Sequence, residues 1–207
     1  DESQEKCVNY FKHIVYENEA TAPLIQAQIE SQGVKMLGFM ANGCNAFAAK
    51  KDVSTLEELS KYKLGIGMNF TAFESLGFSV VAMMPWDSYD SLSKGVADAT
   101  YMAMAPMIAL KWHEVVPYFI SANLYTAGNY FTISLERWNS FNADTQALFQ
   151  EAMEATTEYT IQLVAEGEAA VETALNAVGG KLSNLNEDDT RALAEALWRD
   201  AVNDCRA

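Results

Sequence analysis

The sequence predicts an α/β protein. Three observations lead there: apolar stretches that read as strands buried on both faces, helical segments between them, and turn signals at the junctions. A strand apolar on both faces needs a sheet covered on both sides, and the intervening helices supply that cover. The chain has 207 residues, 50% of them hydrophobic and 20% charged, with 11 glycines and 4 prolines. This composition excludes disordered, collagen-like and low-complexity classes and is enough to bury the core of one large or two small domains. No apolar run approaches the length of a membrane-spanning helix, and the opening DESQEKCVNY lacks a basic-then-apolar targeting pattern.

Two helices are expected first, Gln4–Glu17 and Ala20–Ser31, with Pro23 tolerated because it falls in the first turn of the second. Val34–Met40 is an apolar run with one lysine and reads as a buried strand. Asn42-Gly43 turns the chain into a second strand, Asn45–Lys50. Ser54 with Glu57 suggests a capping box opening a short helix, Thr55–Lys61. Then come a strand at Leu64–Met68, a helix at Thr71–Leu76, a strand at Ser79–Met84 and a helix at Trp86–Lys94 closed by Gly95. Val96–Ala103 is a strand and Pro106–Glu114 a helix; Tyr118–Tyr125 and Asn129–Leu135 are strands on either side of Thr126-Ala127-Gly128. After a helical turn at Glu136–Ser140, Asn142 caps a long helix whose stripe runs through Leu148, Ala152, Ala155, Tyr159, Val164, Val171, Leu175 and Val178. Unbroken, that helix is about 50 Å long, wider than one small α/β lobe, with Gly167 as a place to bend. A strand at Lys181–Leu185 and a final helix capped by Asn186 end the pattern.

The net charge is −14, and −9 of it falls between Glu136 and Ala207. An acidic chain repels phosphate backbones and anionic headgroups, so nucleic-acid binding and membrane insertion are not expected. All four arginines (Arg137, Arg191, Arg199 and Arg206) lie in the C-terminal third. Cys7, Cys44 and Cys205 have no metal-ligand spacing, though the terminal pair Cys7 and Cys205 could bond in an oxidising compartment. With only His13 and His113 available, no metal, cofactor or nucleophile–base pair is expected. Leu64-Gly65-Ile66-Gly67-Met68 lacks the third glycine and Lys-Ser/Thr of a phosphate loop, and its glycines mark a close approach of backbone or ligand instead.

From Gly33 to about Ser140 the blocks GVKMLGFMANG, VSTLEELSKYKLGIGMN, MMPWDSYDSLSKGVADATYMA, IALKWHEVVPYFISAN and NYFTISLERWNSFNADTQALFQEA follow one another in an order that resembles the DctP-like solute-binding proteins of TRAP transporters. The resemblance implies a periplasmic-binding-protein-like fold of type II, with two lobes, a long connecting helix and an incomplete first lobe. Residues 1–43 would be part of that first lobe, 44–125 the second α/β lobe with the ligand face, and 126–207 the return strand, the lobe-spanning helix and the C-terminal helices. It further implies a non-enzymatic periplasmic receptor for a small organic molecule, with TRAP membrane subunits as partner and self-association where the first lobe is missing. Its site residues would be Asn45, Gly65, Gly67, Asn69, Trp86, Thr100, Tyr101, Met102, Asn129 and Tyr130. Trp86 and Met102 also fit core positions, and Asn69 a helix cap.

The family's carboxylate-clamping arginine falls on Gly65, and a second basic position falls on Asn45. Lysine does not reproduce the planar fork of arginine. The sequence thus points to a neutral, zwitterionic or aromatic ligand, with room at Gly65 for a larger group. Two other functions compete: a small-molecule enzyme on an α/β scaffold, which needs an acid–base pair, and an interaction module using the acidic C-terminal helices.

Overall fold

The computed structural model describes residues 13–40, 42–126 and 129–204. It divides into two compact units, the first drawn from residues 1–43 and 125–166 and the second from 44–124 and 167–207.

In the first unit a π-helical turn at His13–Glu17 leads to α1 (Ala22–Ser31), which carries Pro23 in its first turn as expected. Strands β1 (Val34–Met40) and β7 (Asn129–Ser134) pair antiparallel, from Val34 opposite Ser134 to Met40 opposite Asn129, with an irregularity between Met36 and Gly38. The long helix α7 (Ala143–Ala177) gives its residues up to Glu166 to this unit and the rest to the second. It is capped as the sequence indicates, the Asn142 carboxamide accepting the Thr145 N–H at 2.9 Å. Its buried face follows the expected stripe at Val164, Val171 and Leu175 and departs from it in the half before them. Leu148 and Tyr159 are exposed, whereas Thr157 and Thr160 are buried with Val164. The Thr157 hydroxyl donates to the Phe39 carbonyl at 2.9 Å, and that of Thr160 to the Thr157 carbonyl at 2.9 Å. Buried hydroxyls with partners are tolerated where apolar groups were expected, which shifts the stripe by part of a turn.

The second unit holds a six-stranded sheet in the order β4-β3-β5-β2-β6-β8. Its strands are β2 (Gly43–Ala49), β3 (Lys63–Ile66), β4 (Ser79–Ala82), β5 (Ala99–Ala103), β6 (Tyr118–Thr126) and β8 (Lys181–Asn184). Strands β3, β4 and β5 are parallel, and β2 runs against β5 with Asn45 opposite Ala103 and Phe47 opposite Tyr101. The carboxyl ends of β3, β4 and β5 and the start of β2 therefore share one end of the sheet. Helices α2 (Leu56–Leu59), α3 (Phe70–Ser75), α4 (Pro85–Ser93) and α5 (Met104–Ala109) link its strands. A short α6 (Leu135–Asn139) follows β7, and α8 (Glu187–Asp204) ends the described chain.

Three expectations change. The cap of α2 is Thr55, not Ser54: its hydroxyl accepts the Glu58 N–H at 3.2 Å while the Glu58 carboxylate accepts the Ser54 N–H at 2.9 Å. The helix expected over Pro106–Glu114 breaks into α5 and a 3-10 turn, because Lys111 takes a left-handed conformation at φ 61. The strand expected at Ser79–Met84 stops at Ala82 and forms the sheet edge, half-exposed rather than covered on both faces. Strands β6 and β7, consecutive in sequence, belong to different sheets. The first residues of the helix expected at Gln4–Glu17, and both Cys7 and Cys205, lie outside the described residues.

Phe47, Phe73 and Phe78 centre the core of this unit, with Leu64, Ile120 and Leu193 against them. Asn186 caps α8 through the Asp189 N–H at 2.8 Å, and Asp189 in turn accepts the Leu56 N–H at 3.1 Å, tying α8 to α2. Gly167 is a place of close approach: a Cβ there would lie 2.8 Å from the Ala105 Cβ. That contact brings α7 against the residues just past the carboxyl end of β5.

Candidate functional site

At the shared sheet end, Asn45 and Tyr101 come together. Tyr101 packs its ring on Phe47 and Phe73, with centroids at 4.8 and 5.2 Å, which fixes the phenol toward Asn45. The hydroxyl is buried between the Asn45 side chain, its nearest hydrogen-bonding group, and the Cys44 thiol. Burial pushes its pKa well above the usual tyrosine range, so the phenol stays a neutral donor.

Three residues that the sequence did not single out complete this cluster. The Cys44 thiol lies 3.3 Å from the Ser121 hydroxyl, and the Ser121 hydroxyl accepts the Asn123 N–H at 3.2 Å. The Glu168 carboxylate accepts the Cys44 N–H. Burial raises the Cys44 thiol, Ser121 opposes that shift, and the Glu168 charge adds to it. The thiol is therefore held protonated and is no nucleophile. Asn123 sits in a left-handed conformation, φ 51, inside β6. The one sequence signal for Glu168 was its neighbour Gly167, read as a bend.

The remaining expected residues are placed variously. Gly65 is buried inside β3, and a Cβ there would lie 2.7 Å from two Met83 atoms and 2.9 Å from Ala97. The room expected beside this glycine is taken by Met83. Thr100 is buried and donates its hydroxyl to the Gly65 carbonyl at 2.8 Å, so it offers no free polar group. Gly67 is exposed beside Met84. Asn69 precedes α3 with φ 61 and makes no side-chain cap bond. Trp86 is 75% exposed and so is no core residue, and Met102 is half-buried. Asn129 and Tyr130 are exposed on β7, in the first unit.

The first unit has a cavity of its own, about 520 Å³, bordered by Tyr16, Lys35, Phe39, Met153, Thr157 and Ile161. Lys35 is paired with Glu30 at 2.6 Å. The Tyr16 ring stacks on Phe39 at 6.4 Å, and its hydroxyl is buried with no hydrogen-bond partner among the described residues. Burial, with the nearby Tyr130 phenol, pushes Tyr16 up to about 12. An unfolded chain gives up this proton near pH 10.0, whereas the fold retains it to about 12. The contribution is whole below pH 10 and is lost as pH rises from there toward 12. Urea midpoints at about pH 9 and about pH 11.5 should therefore fall less in Tyr16→Phe than in the wild type. An equal fall in both proteins would remove Tyr16 as a source of alkaline lability.

Residues 11–203 match the model of the bacterial extracellular solute-binding protein family 7. A solute-binding protein of Sulfitobacter sp. (strain NAS-14.1) is 25% identical over 152 residues, which are 72% of this chain and 46% of that protein. Among solved structures, a TRAP periplasmic solute-binding protein from Sulfitobacter sp. NAS-14.1 with bound β-D-galacturonate superposes with a TM-score of 0.80 at 19% identity, over 97% of this chain and 66% of that one. Another from Rhodoferax ferrireducens, with bound malonate, gives a TM-score of 0.79 at 13% identity over 95% of this chain and 63% of that one. The two structures share the α/β fold of this chain. The chain spans about half the length of the curated relative and about two thirds of each solved chain.

Proposed function

Because the chain belongs to family 7 of the bacterial extracellular solute-binding proteins, we propose that it serves a periplasmic receptor, which captures a small organic molecule and delivers it to the membrane subunits of a TRAP-type transporter. The family match along residues 11–203 carries this reading. The fold, shared with TRAP periplasmic proteins across nearly the whole chain, supports it.

Binding, not turnover, is the proposed activity. Asn45, Gly67, Asn69, Trp86, Tyr101 and Met102 are the residues of the second unit proposed to meet the ligand. They bring carboxamides, backbone groups, a phenol and ring faces to the end of an α/β sheet where ligands commonly bind. Such groups hold a ligand by hydrogen bonds and stacking and move no protons at neutral pH.

A thermal-shift screen of the 207-residue protein over organic acids, sugars, amino acids and amines tests the reading. A ligand at 100 times its Kd should stabilise the protein by about 2.7 kcal/mol, a rise of roughly 5–10 °C at this size. The ligand should be recovered chemically unchanged. Consumption of the ligand, or a melting temperature that no compound moves, would overturn the receptor.

A further inference from the structure

The cluster around Cys44 has a sign of charge that points to the kind of ligand it selects. Glu168 is half-buried, and its carboxylate accepts the backbone N–H of the residue before Asn45. Among the described residues no lysine or arginine forms an ion pair with it. Lysines of the sheet lie at its other end: Lys63 opens β3, Lys50 pairs with Asp98 at 3.8 Å and Lys181 with Asp52 at 2.8 Å. Lys50 is five residues beyond Asn45, about 17 Å along an extended strand. Beside Asn45 the Tyr101 hydroxyl is buried, a neutral donor at this end of the sheet. Asn123, whose N–H joins the Ser121 hydroxyl, holds a sparsely populated backbone conformation of the sort that gathers at binding sites. Among the described residues, one negative charge and neutral hydrogen-bonding groups thus meet where β2 starts and β5 ends, with no ion-paired cation.

Resting on the receptor reading, we propose that Glu168 is a specificity-determining residue and that the ligand presents a protonated amine to it, as a zwitterion or an organic cation. A carboxylate partly withdrawn from water attracts an ammonium group and repels a second carboxylate more strongly than it would in bulk solvent. One Glu168 oxygen accepts the Cys44 N–H, and among the described residues the other has no hydrogen-bond partner and can accept a charge-assisted N–H. A ligand carboxylate at the same place would be desolvated beside a like charge, with no ion-paired cation among the described residues to offset it. The net charge of −14 acts in the same direction.

Matched probes separate the two chemistries. Malonate, β-alanine and 1,3-diaminopropane share a three-carbon chain and differ in carboxylates and amines; D-galacturonate and D-galactosamine do the same on a hexose ring. Calorimetry would compare the 207-residue protein with Glu168→Gln, whose amide oxygen still accepts the Cys44 N–H, and with Glu172→Gln, an exposed glutamate one turn further along α7. The amine-bearing probes should bind at least tenfold tighter than malonate and galacturonate. Glu168→Gln should lose at least tenfold of that preference, and Glu172→Gln none. Tighter binding of malonate or galacturonate, or an unchanged preference in Glu168→Gln, overturns the assignment and leaves the receptor standing. Silence from every probe overturns the assignment as well, and the wider thermal-shift screen then decides the receptor itself.

Discussion

Gly65→Arg is expected to unfold the second unit and not to furnish it with a carboxylate clamp. The sequence alone suggested the reverse, because the glycine falls where the resembled family carries arginine. In the structure its missing Cβ faces Met83 at 2.7 Å and Ala97 at 2.9 Å, inside a strand whose neighbours on both sides are paired. A single methyl forced into that space costs about 1–3 kcal/mol. The rest of an arginine would have to displace Met83 and bring a cation into a core with no carboxylate among its described buried residues. The combined loss should exceed about 4 kcal/mol, a large share of the 5–15 kcal/mol that holds a typical domain together. Far-UV circular dichroism and a urea titration would register it, with Gly65→Ala falling between the two. A folded Gly65→Arg protein that melts like the wild type would show that Met83 yields easily and that the site extends to this strand.

How far the sequence spoke for the structure depends on the distance over which each feature is determined. The strand Val34–Met40 was legible to the residue because an apolar run between Gly33 and Asn42-Gly43 has local boundaries. The caps Asn142 and Asn186 were legible for the same reason, since a side chain and an N–H three residues on decide them. The buried face of α7 was legible at Val164, Val171 and Leu175 and not in the half before them. Periodicity counts apolar residues, and this helix buries Thr157 and Thr160, whose hydroxyls find carbonyl partners, while Leu148 and Tyr159 face outward. The break at Lys111 was hidden as well, for lysine gives no warning of a left-handed backbone. At the candidate site, Asn45 and Tyr101 could be named from the resemblance. Their neighbour Glu168 could not, because its hydrogen bond to Cys44 joins residues 124 apart. Local chemistry writes strands and caps into a sequence; a contact across the chain leaves only a weak trace, here the glycine at 167.

Phe47→Ala should produce the second large loss, and it links the core to the candidate site. Phe47 lies in β2, between β5 and β6, and is fully buried. Its ring stacks on Phe78 at 5.7 Å, meets Phe73 edge-on at 6.0 Å and supports Tyr101 at 4.8 Å. Removing a buried phenylalanine side chain costs about 3–5 kcal/mol, the transfer term plus the cavity that neighbours only partly fill. The aromatic pairs add roughly 0.5–1.5 kcal/mol each beyond area alone, so the upper part of that range is expected. Phe47→Leu keeps most of the volume and should lose far less, about 1.5 kcal/mol or under. Urea unfolding of both variants, followed by tryptophan fluorescence, measures the difference directly. The consequence reaches the site because Tyr101 is held toward Asn45 by this ring. Under conditions where Phe47→Ala remains folded, its Tyr101 should sample new rotamers, visible as a broadened ring signal in spectra of protein labelled at tyrosine. Ligand binding found in the thermal-shift screen should weaken in parallel. A Phe47→Ala protein within about 1 kcal/mol of the wild type, a difference typical of surface positions rather than cores, would mean that the aromatic cluster repacks around the gap and that Tyr101 is placed by something other than Phe47.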